Sequence, residues 1–484
     1  MDKVLLCGYI VAALAAANSL TWKMGNDQAV FAVVAQAILD GGVPYRDAWD
    51  VKGPLIYYIY AFALWAWDRP ALSIRIFDLI AVVTCCLTIR RLGSSIAKDS
   101  TFADFVALCF ALGYFSLGYW NTAQPDGWAA MVLVGIILLM LDPPWSASIS
   151  MAVIGALIGI IALINPVFSA YLALPIAFPC LNGTSSRHQF RNSGICIAAY
   201  VATVGAVAVA LVNAVGLQEI VDLGHFLVAH VSRRTALNAL GAPFFKIYII
   251  PVALAVVGVV ILYRSKKRRL AQVIVLWAAI CLFTTSLQGK YFPYHLIPFL
   301  VALNVPMATA IFAVAPAGRA MIAVLALAPL AISALYSRDS SAAYEGSQAA
   351  IANYLMDQSD SSEKILVWAG ELMPVYEIAR RRPPTKFSFS YPMFGESEVK
   401  AKYRRIFMQQ IASNPPCYVI FDSEYGRKLL AEFAEFNALL NENFHPVRVI
   451  ASNEIWKRKD GCHNRAYESR EIVMRPYAWG PFAR

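Results

Sequence analysis

Charge is scarce in this sequence. Asp, Glu, Lys and Arg make up 15% of its 484 residues, and apolar residues make up 59%. A soluble globular domain has about 25% charged and 45–50% apolar residues, so that class is excluded. Histidine is rarer still, at six residues, and none of the nine cysteines stands at metal-ligand spacing. No cysteine-held metal centre is expected, and the need for a divalent cation stays open. Cys7, Cys85, Cys86, Cys109, Cys180, Cys196 and Cys281 fall within or beside apolar runs and read as small buried side chains. Cys417 and Cys462 lie in the polar tail, where they pair in an oxidising compartment and otherwise remain free thiols. The net charge of +10 comes from basic residues scattered into short loops. That distribution does not suggest nucleic acid and suits membrane topology. No internal repeat is visible, and no glycine-rich phosphate loop opens a helix of the tail.

What the chain does have is apolar runs long enough to cross a hydrocarbon core, recurring from end to end. The first, about 4–20, lacks a small-residue cleavage site and reads as a span rather than a signal peptide. Further runs follow at about 71–90, 101–119, 125–141, 148–164, 167–181, 194–215, 244–263, 270–287 and 320–336, with one more ending before Arg319. About 11 spans place every dense basic loop, including Arg264-Ser265-Lys266-Lys267-Arg268-Arg269, on the inner side. A loop of residues 216–243 and the whole tail then lie outside.

The stretch after the first span does not fit as a crossing. Pro44, Pro54 and the pair Gly41-Gly42 interrupt it, and each apolar piece is too short to span. Val30, Phe31, Val34 and Ile38 recur at helical spacing, and residues 55–67 are rich in Tyr and Trp. Two amphipathic helices lying along the outer membrane interface are expected. The fold class is therefore a polytopic α-helical membrane protein with interfacial helices after its first span and a small C-terminal α/β domain. Residues 1–342 form the membrane domain, with a first outer loop at 21–70, and residues 343–484 form the outer domain. In that tail, strand-like pieces such as KILVWA and CYVIFD alternate with helical ones, which predicts a mainly parallel sheet.

The scarce charges are the candidates for chemistry. Asp27 opens the first interfacial helix, where Asn26 and Asp27 are also expected to act as helix caps. A cap and a catalytic base both need a fixed carboxylate, so the two roles are compatible. Lys52, two residues after Asp50, is either a lysine snorkelling to the interface or a point charge for a phosphate. Arg75 sits just inside a span, with Asp78 as the expected counter-charge, and Asp126 stands at the outer end of another. Arg233, Arg234, Lys290 and His295 bring further cations to the same side. Together with Lys52 they suit an anionic lipid headgroup. Arg46, Asp50, Tyr57 and Tyr291 complete the residues expected around a substrate cavity.

In order, these motifs resemble the multi-spanning GT-C glycosyltransferases. The nearest branch is that of protein O-mannosyltransferases and lipid A aminoarabinose transferases. The resemblance rests on Asp27 after the first span, GGVPYRDAWDVKGPLIYYIYA, SIRIFDLI, NTAQPDGW, QGKYFPYHLIPFL and KILVWAGELMPVYEIARRRPPTKF. It implies a polyprenyl-phosphate-linked sugar donor and inverting transfer to an envelope glycan, lipid or protein. It also implies a periplasmic active site on a bacterial inner membrane. Asp27 matches that family's catalytic base and Lys52 its lysine near the donor phosphate; Asp126, or Gln124 two residues before it, matches a further catalytic position. Gln28 and Val51 stand where many relatives carry acids, which argues against a divalent cation bound through them. A transporter or flippase of lipid-linked sugars would use the same cations without a base, and a non-catalytic envelope scaffold would need neither.

Overall fold

Hydrocarbon offers no water to backbone N–H and C=O groups, so an apolar chain satisfies them within helices. The computed structural model describes every residue except 68, 182–186, 232–240, 337–341, 369, 396 and 463–484. Among the described residues, eight helices are long and apolar enough to cross a membrane. They are Asp2–Ser19, Pro70–Ala97, Ala147–Ile164, Phe190–Val215, Ile247–Arg264, Arg268–Gln288, Pro293–Phe312 and Pro316–Tyr336. The other three expected crossings fall on shorter apolar helices, Ser100–Phe115, Pro125–Leu141 and Pro166–Phe178, which do not reach that length.

Two compact units make up the chain. The first comprises Met1–Trp22, Arg75–Ala210 and Val231–Arg338, and holds most of the length of the long helices. Its helices approach closely where a side chain is missing. A Cβ on Gly258 would lie 1.7 Å from the carbonyl oxygen of Pro306, and one on Gly155 would lie 2.0 Å from that of Cys196. Glycine at both positions lets two backbones touch, which is how helices pack where lipid supplies no hydrophobic drive.

The second unit comprises Lys23–Ile74, Leu211–His230 and Asp339–Arg484. It contains both helices expected at the interface, Asn26–Leu39 (14 residues) and Pro54–Ala66 (13 residues). Each is shorter than the ~20 residues needed to span. Pro54 opens the second helix at a position where its missing N–H costs nothing. The two pack through Phe31, whose ring lies 5.5 Å from Tyr60 and 6.3 Å from Tyr57. The expected loop 216–243 is corrected over its first half, where Leu217–Val231 is a helix.

The tail sheet differs from expectation. Strands β1 (Ile365–Val367), β2 (Tyr418–Asp422), β3 (Phe444–Ile450) and β4 (Asn453–Arg458) lie in the order β1-β2-β4-β3. Only β1 and β2 run parallel; β2–β4 and β3–β4 are antiparallel. The sheet is mixed rather than mainly parallel because β3 and β4 form a hairpin. Cys417, just before β2, forms a disulfide with Cys462.

The core of this unit is aromatic. Trp49, from the loop between the interfacial helices, inserts among Phe226, Phe387 and Tyr403, with ring centroids 4.8, 5.8 and 5.4 Å away. Its indole N–H donates to Tyr403 Oη at 3.2 Å, and its backbone N–H donates to the Lys386 carbonyl at 2.8 Å. The helix Leu217–Val231 is tied to the tail by Lys386–Glu219 at 2.9 Å and by Lys402–Asp222. Loop, helix and tail therefore share one core.

Candidate active site

The first group of candidate residues gathers at the start of Asn26–Leu39. The N-cap is Gly25, not Asn26 or Asp27, and its backbone N–H donates to Gln28 Oε1 at 2.8 Å. Asp27 sits in the first turn, where the positive end of the helix dipole favours a carboxylate. Asn26 Oδ1 is turned to the tail and accepts from the Met373 N–H at 3.1 Å. That bond holds the turn carrying Glu371, shaped by Gly370 at φ +93°, beside the helix start. Burial pushes the Glu371 carboxyl above its ordinary range, and the nearby Asp27 adds to the effect.

Asp50 belongs to the same electrostatic group. It is buried and accepts from Tyr57 Oη at 2.9 Å. Burial, with a smaller contribution from Asp27, raises its pKa to about 6 against the opposing Val51 N–H, Tyr57 hydroxyl and Lys52. Two tyrosines fix Lys52 through its backbone. Its N–H donates to Tyr57 Oη at 3.0 Å, and its carbonyl accepts from Tyr45 Oη at 2.7 Å. Tyr57 thus orients an acid and a base at once. Arg46 is half-exposed and pairs with its neighbour Asp47 at 2.7 Å, while donating to the Ala214 carbonyl at 3.3 Å.

The shift of Asp50 makes a stability prediction. An unfolded carboxyl ionises near its ordinary 3.8 and this one near 6 in the folded chain. The folded state therefore retains a proton that the unfolded state loses, and stability falls as pH rises through that window. The loss amounts to up to about 3 kcal/mol. Asp50→Asn, which stays neutral, is expected to remove that share of the slope. Thermal unfolding of both proteins in detergent at pH 4 and pH 7 checks it: a constant gap between them would show that Asp50 is not shifted.

The second group lies in the other unit. Asp126, fully buried in the first turn of Pro125–Leu141, accepts from Gln288 Nε2 at 2.8 Å. Gln288 in turn accepts from Asn165 Nδ2 at 3.1 Å, so an amide relay fixes the acid. His295 is buried with its ring 4.3 Å from Tyr294, and its carbonyl accepts from Thr285 Oγ1 at 2.8 Å. Lys290 is half-buried on a tight turn flanked by left-handed Gly289 (φ +67°) and Tyr291 (φ +48°).

Arg75 donates to Thr122 Oγ1 and the Tyr119 carbonyl, both at 2.9 Å, and stacks over Trp22 at 5.6 Å. Asp78 interacts with Arg75 but also accepts from Tyr114 Oη at 2.7 Å and Trp128 Nε1 at 2.8 Å. The pair is therefore part of a wider polar network. Arg233 and Arg234 lie outside the described residues. Glu371 was not singled out from the sequence: only the fold brings it to Asp27, and no spacing signals that meeting.

Among the described residues, eight helices long and apolar enough to cross a membrane, five shorter apolar helices and a small mixed α/β tail make up the fold. Solved structures of membrane enzymes share it. ArnT from Cupriavidus metallidurans bound to undecaprenyl phosphate superposes with a TM-score of 0.65 at 12% identity, covering 94% of this chain and 97% of that one. The oligosaccharyltransferase AglB from Archaeoglobus fulgidus, in complex with an inhibitory peptide and a dolichol-phosphate, has a TM-score of 0.54 at 14% identity. There the match covers 97% of this chain and 75% of that one. The arabinofuranosyltransferase AftD from Mycobacteria has a TM-score of 0.51 at 12% identity, over 96% of this chain and 40% of that one. No protein-family model matches the chain, and no curated protein sequence does. At these identities the likeness establishes the fold.

Proposed function

We propose that this chain is a membrane glycosyltransferase that moves a sugar from a polyprenyl-phosphate carrier to an envelope glycan, lipid or protein. The observation that carries the reading is the Asp27 site. A carboxylate is fixed in the first turn of a short helix beside the outer tail, with Asp50 and Glu371 in its field and Lys52 next to Asp50. Two proteins of the same fold have been solved with polyprenyl-type phosphates, which supports the donor class. Residues 343–484 serve as the extracytoplasmic domain, and the reaction takes place on the periplasmic face of a bacterial inner membrane.

In the proposed reaction, a hydroxyl of the acceptor attacks the anomeric carbon from the face opposite the phosphate. Asp27 takes the hydroxyl proton as the new C–O bond forms. The bond between the sugar and the phosphate oxygen breaks, its electron pair leaves on polyprenyl phosphate, and the anomeric centre inverts. A positioned base contributes about 10²–10⁴-fold to such a step. The leaving group is a stable anion and needs cations more than it needs an acid. Lys52, Lys290, His295, Arg75, Arg233 and Arg234 are the candidates for that electrostatic work. Asp126 is the second candidate catalytic carboxylate, and Arg46, Asp50, Tyr57 and Tyr291 are the candidates for contact with the substrates.

The test is reconstitution of the full chain in liposomes with a radiolabelled polyprenyl-phosphate sugar and envelope extract. Label in the extract with release of polyprenyl phosphate supports transfer; intact donor moved across the bilayer would mean a transporter instead. Lys52→Ala is expected to raise the donor concentration for half-maximal rate by about tenfold, the loss of one charge-assisted contact. An unchanged donor requirement would remove Lys52 from the phosphate site.

A further inference from the structure

The loop between the two short helices is held by a hydroxyl that has a choice of partners. Tyr57 is fully buried, with its ring packed against Phe31 and Tyr45 at 6.3 and 5.9 Å. Its influence therefore passes through its neighbours rather than through contact with a substrate. Its Oη accepts from the Lys52 N–H at 3.0 Å. A phenol has a single hydrogen to donate, and two acceptors lie within reach of this one. They are Asp50 Oδ2 at 2.9 Å and the Lys52 carbonyl at 3.2 Å. That carbonyl also accepts from Tyr45 Oη at 2.7 Å, and a carbonyl oxygen has lone pairs for both donors.

The proton on Asp50 decides between the two. While Asp50 is ionised, the bond from the hydroxyl to the carboxylate is charge-assisted and about twice as strong as a neutral one. The Tyr57 hydrogen then points at Asp50, and Tyr45 alone holds the Lys52 carbonyl. Once Oδ2 carries a proton, the carboxyl becomes the donor to Tyr57 Oη, and the hydrogen of Tyr57 turns to the Lys52 carbonyl. Tyr57 then grips Lys52 by its N–H and its C=O together. Both arrangements keep these buried groups bonded, so the chain can adopt either.

Charge works in the same direction. The charged groups facing Asp50 are Lys52 in its own loop and Asp27 from the helix Asn26–Leu39, with Glu371 of the tail acting on Asp27. Tyr45 and Tyr57 are its other titratable neighbours. An ionised Asp50 attracts Lys52 and repels an anion beside it; a neutral Asp50 does neither. An anion bound at Lys52 therefore favours the neutral carboxyl, and by linkage its binding draws a proton from solvent onto Asp50.

We propose that Tyr57 is a positioning residue for the donor phosphate: its hydroxyl passes the protonation state of Asp50 to the backbone of Lys52, and Lys52 holds the phosphate while Asp50 is neutral. The proposal rests on the reading of Lys52 as a donor-phosphate residue.

Binding of farnesyl methyl phosphate to the full chain in nanodiscs, followed from pH 5 to pH 8, tests it without turnover. This phosphodiester keeps one charge throughout, whereas a phosphomonoester ionises again at about 6. Any pH dependence therefore belongs to the protein. Wild type is expected to bind about tenfold more tightly at pH 5 than at pH 8, the effect of a carboxyl whose ionisation the anion moves by about one pH unit. Asp50→Asn is expected to bind without pH dependence. Tyr57→Phe keeps the ring and loses the hydroxyl. It is expected to bind about tenfold less tightly at pH 5, the scale of one lost hydrogen bond. Its midpoint is expected to rise, because ionised Asp50 has lost a donor. Tyr45→Phe gives a second route if Tyr57→Phe does not fold. Tyr45 donates to the Lys52 carbonyl and not to Asp50, so its loss draws the Tyr57 hydrogen to that carbonyl and raises the midpoint through Tyr57 alone. An unchanged midpoint in whichever variant folds, or equal wild-type affinity at pH 5 and pH 8, would overturn the proposal and leave the phosphate site at Lys52 standing. Absence of binding at every pH would remove that site, and the proposal with it.

Discussion

Asp27→Asn is expected to lower sugar transfer by about 10²–10⁴-fold, the usual contribution of a positioned general base. The substitution preserves shape and removes both the proton acceptor and the negative charge. Asp27 sits in the first turn of a helix whose N-terminal bond is made by Gly25 and Gln28. The helix therefore keeps that cap in the variant, and the fold is expected to survive. Donor binding should be close to wild type, because the base acts on the acceptor hydroxyl and not on the phosphate. The decisive readout is the pair of measurements: donor bound normally, turnover lost. A variant that still transfers sugar at more than a tenth of the wild-type rate would end the base assignment. A variant that neither binds donor nor transfers would place Asp27 in donor recognition instead. Glu371→Gln offers a graded comparison. It removes a second charge from the same field and is expected to change the pH profile of transfer more than the maximal rate.

Trp49→Ala is the second large effect. The indole is almost fully buried among Phe226, Phe387 and Tyr403 and hydrogen-bonded to Tyr403 Oη. Truncating a buried aromatic side chain to alanine costs about 3–5 kcal/mol through lost burial and the cavity left behind. Here the damage extends further, because Asp50 follows Trp49 directly and Lys52 lies two residues beyond. Loosening the indole frees the loop that positions both. The expected result is a clear fall in thermal unfolding temperature together with a raised donor requirement. Trp49→Phe, which keeps most of the ring contacts but loses the hydrogen bond to Tyr403, should recover most of both. Full donor affinity in Trp49→Ala would show that the loop is held by other contacts.

Much of this architecture can be read in the sequence, because hydropathy alone decides what lies in a bilayer. Runs of apolar residues mark the spans, and the prolines and paired glycines of residues 41–54 mark where crossing stops. The tail sheet was harder to read. A parallel arrangement was expected because strands and helices alternate, but β3 and β4 are joined through Ala451 and Ser452, both left-handed at φ +45° and +61°. Such a two-residue turn is usually announced by Asn-Gly or Asp-Gly. Ala-Ser carries no such signal, so the hairpin that reverses the sheet is invisible in the letters. The helix Leu217–Val231 lies in the stretch between two apolar runs that topology assigns to an outer loop, and its Phe226 meets Trp49. The site was legible in part. Asp27, Asp50 and Lys52 stand out as charges in an apolar stretch, whereas Glu371 reaches them only through the bond between Met373 and Asn26.

The Trp49–Tyr403 contact also fixes the order in which this protein is finished. Its two residues are 354 positions apart. At a synthesis rate of about 5–20 residues per second, roughly 20–70 s separate the emergence of one from that of the other. During that interval the helices of the bundle can be inserted one after another, while the indole has no socket. A newly made chain therefore carries its charged loop unanchored through most of its own translation. The segment bearing Asp27, Asp50 and Lys52 gains its wall only when the tail has been made and folded, so an arrested or truncated chain would be inserted but inert.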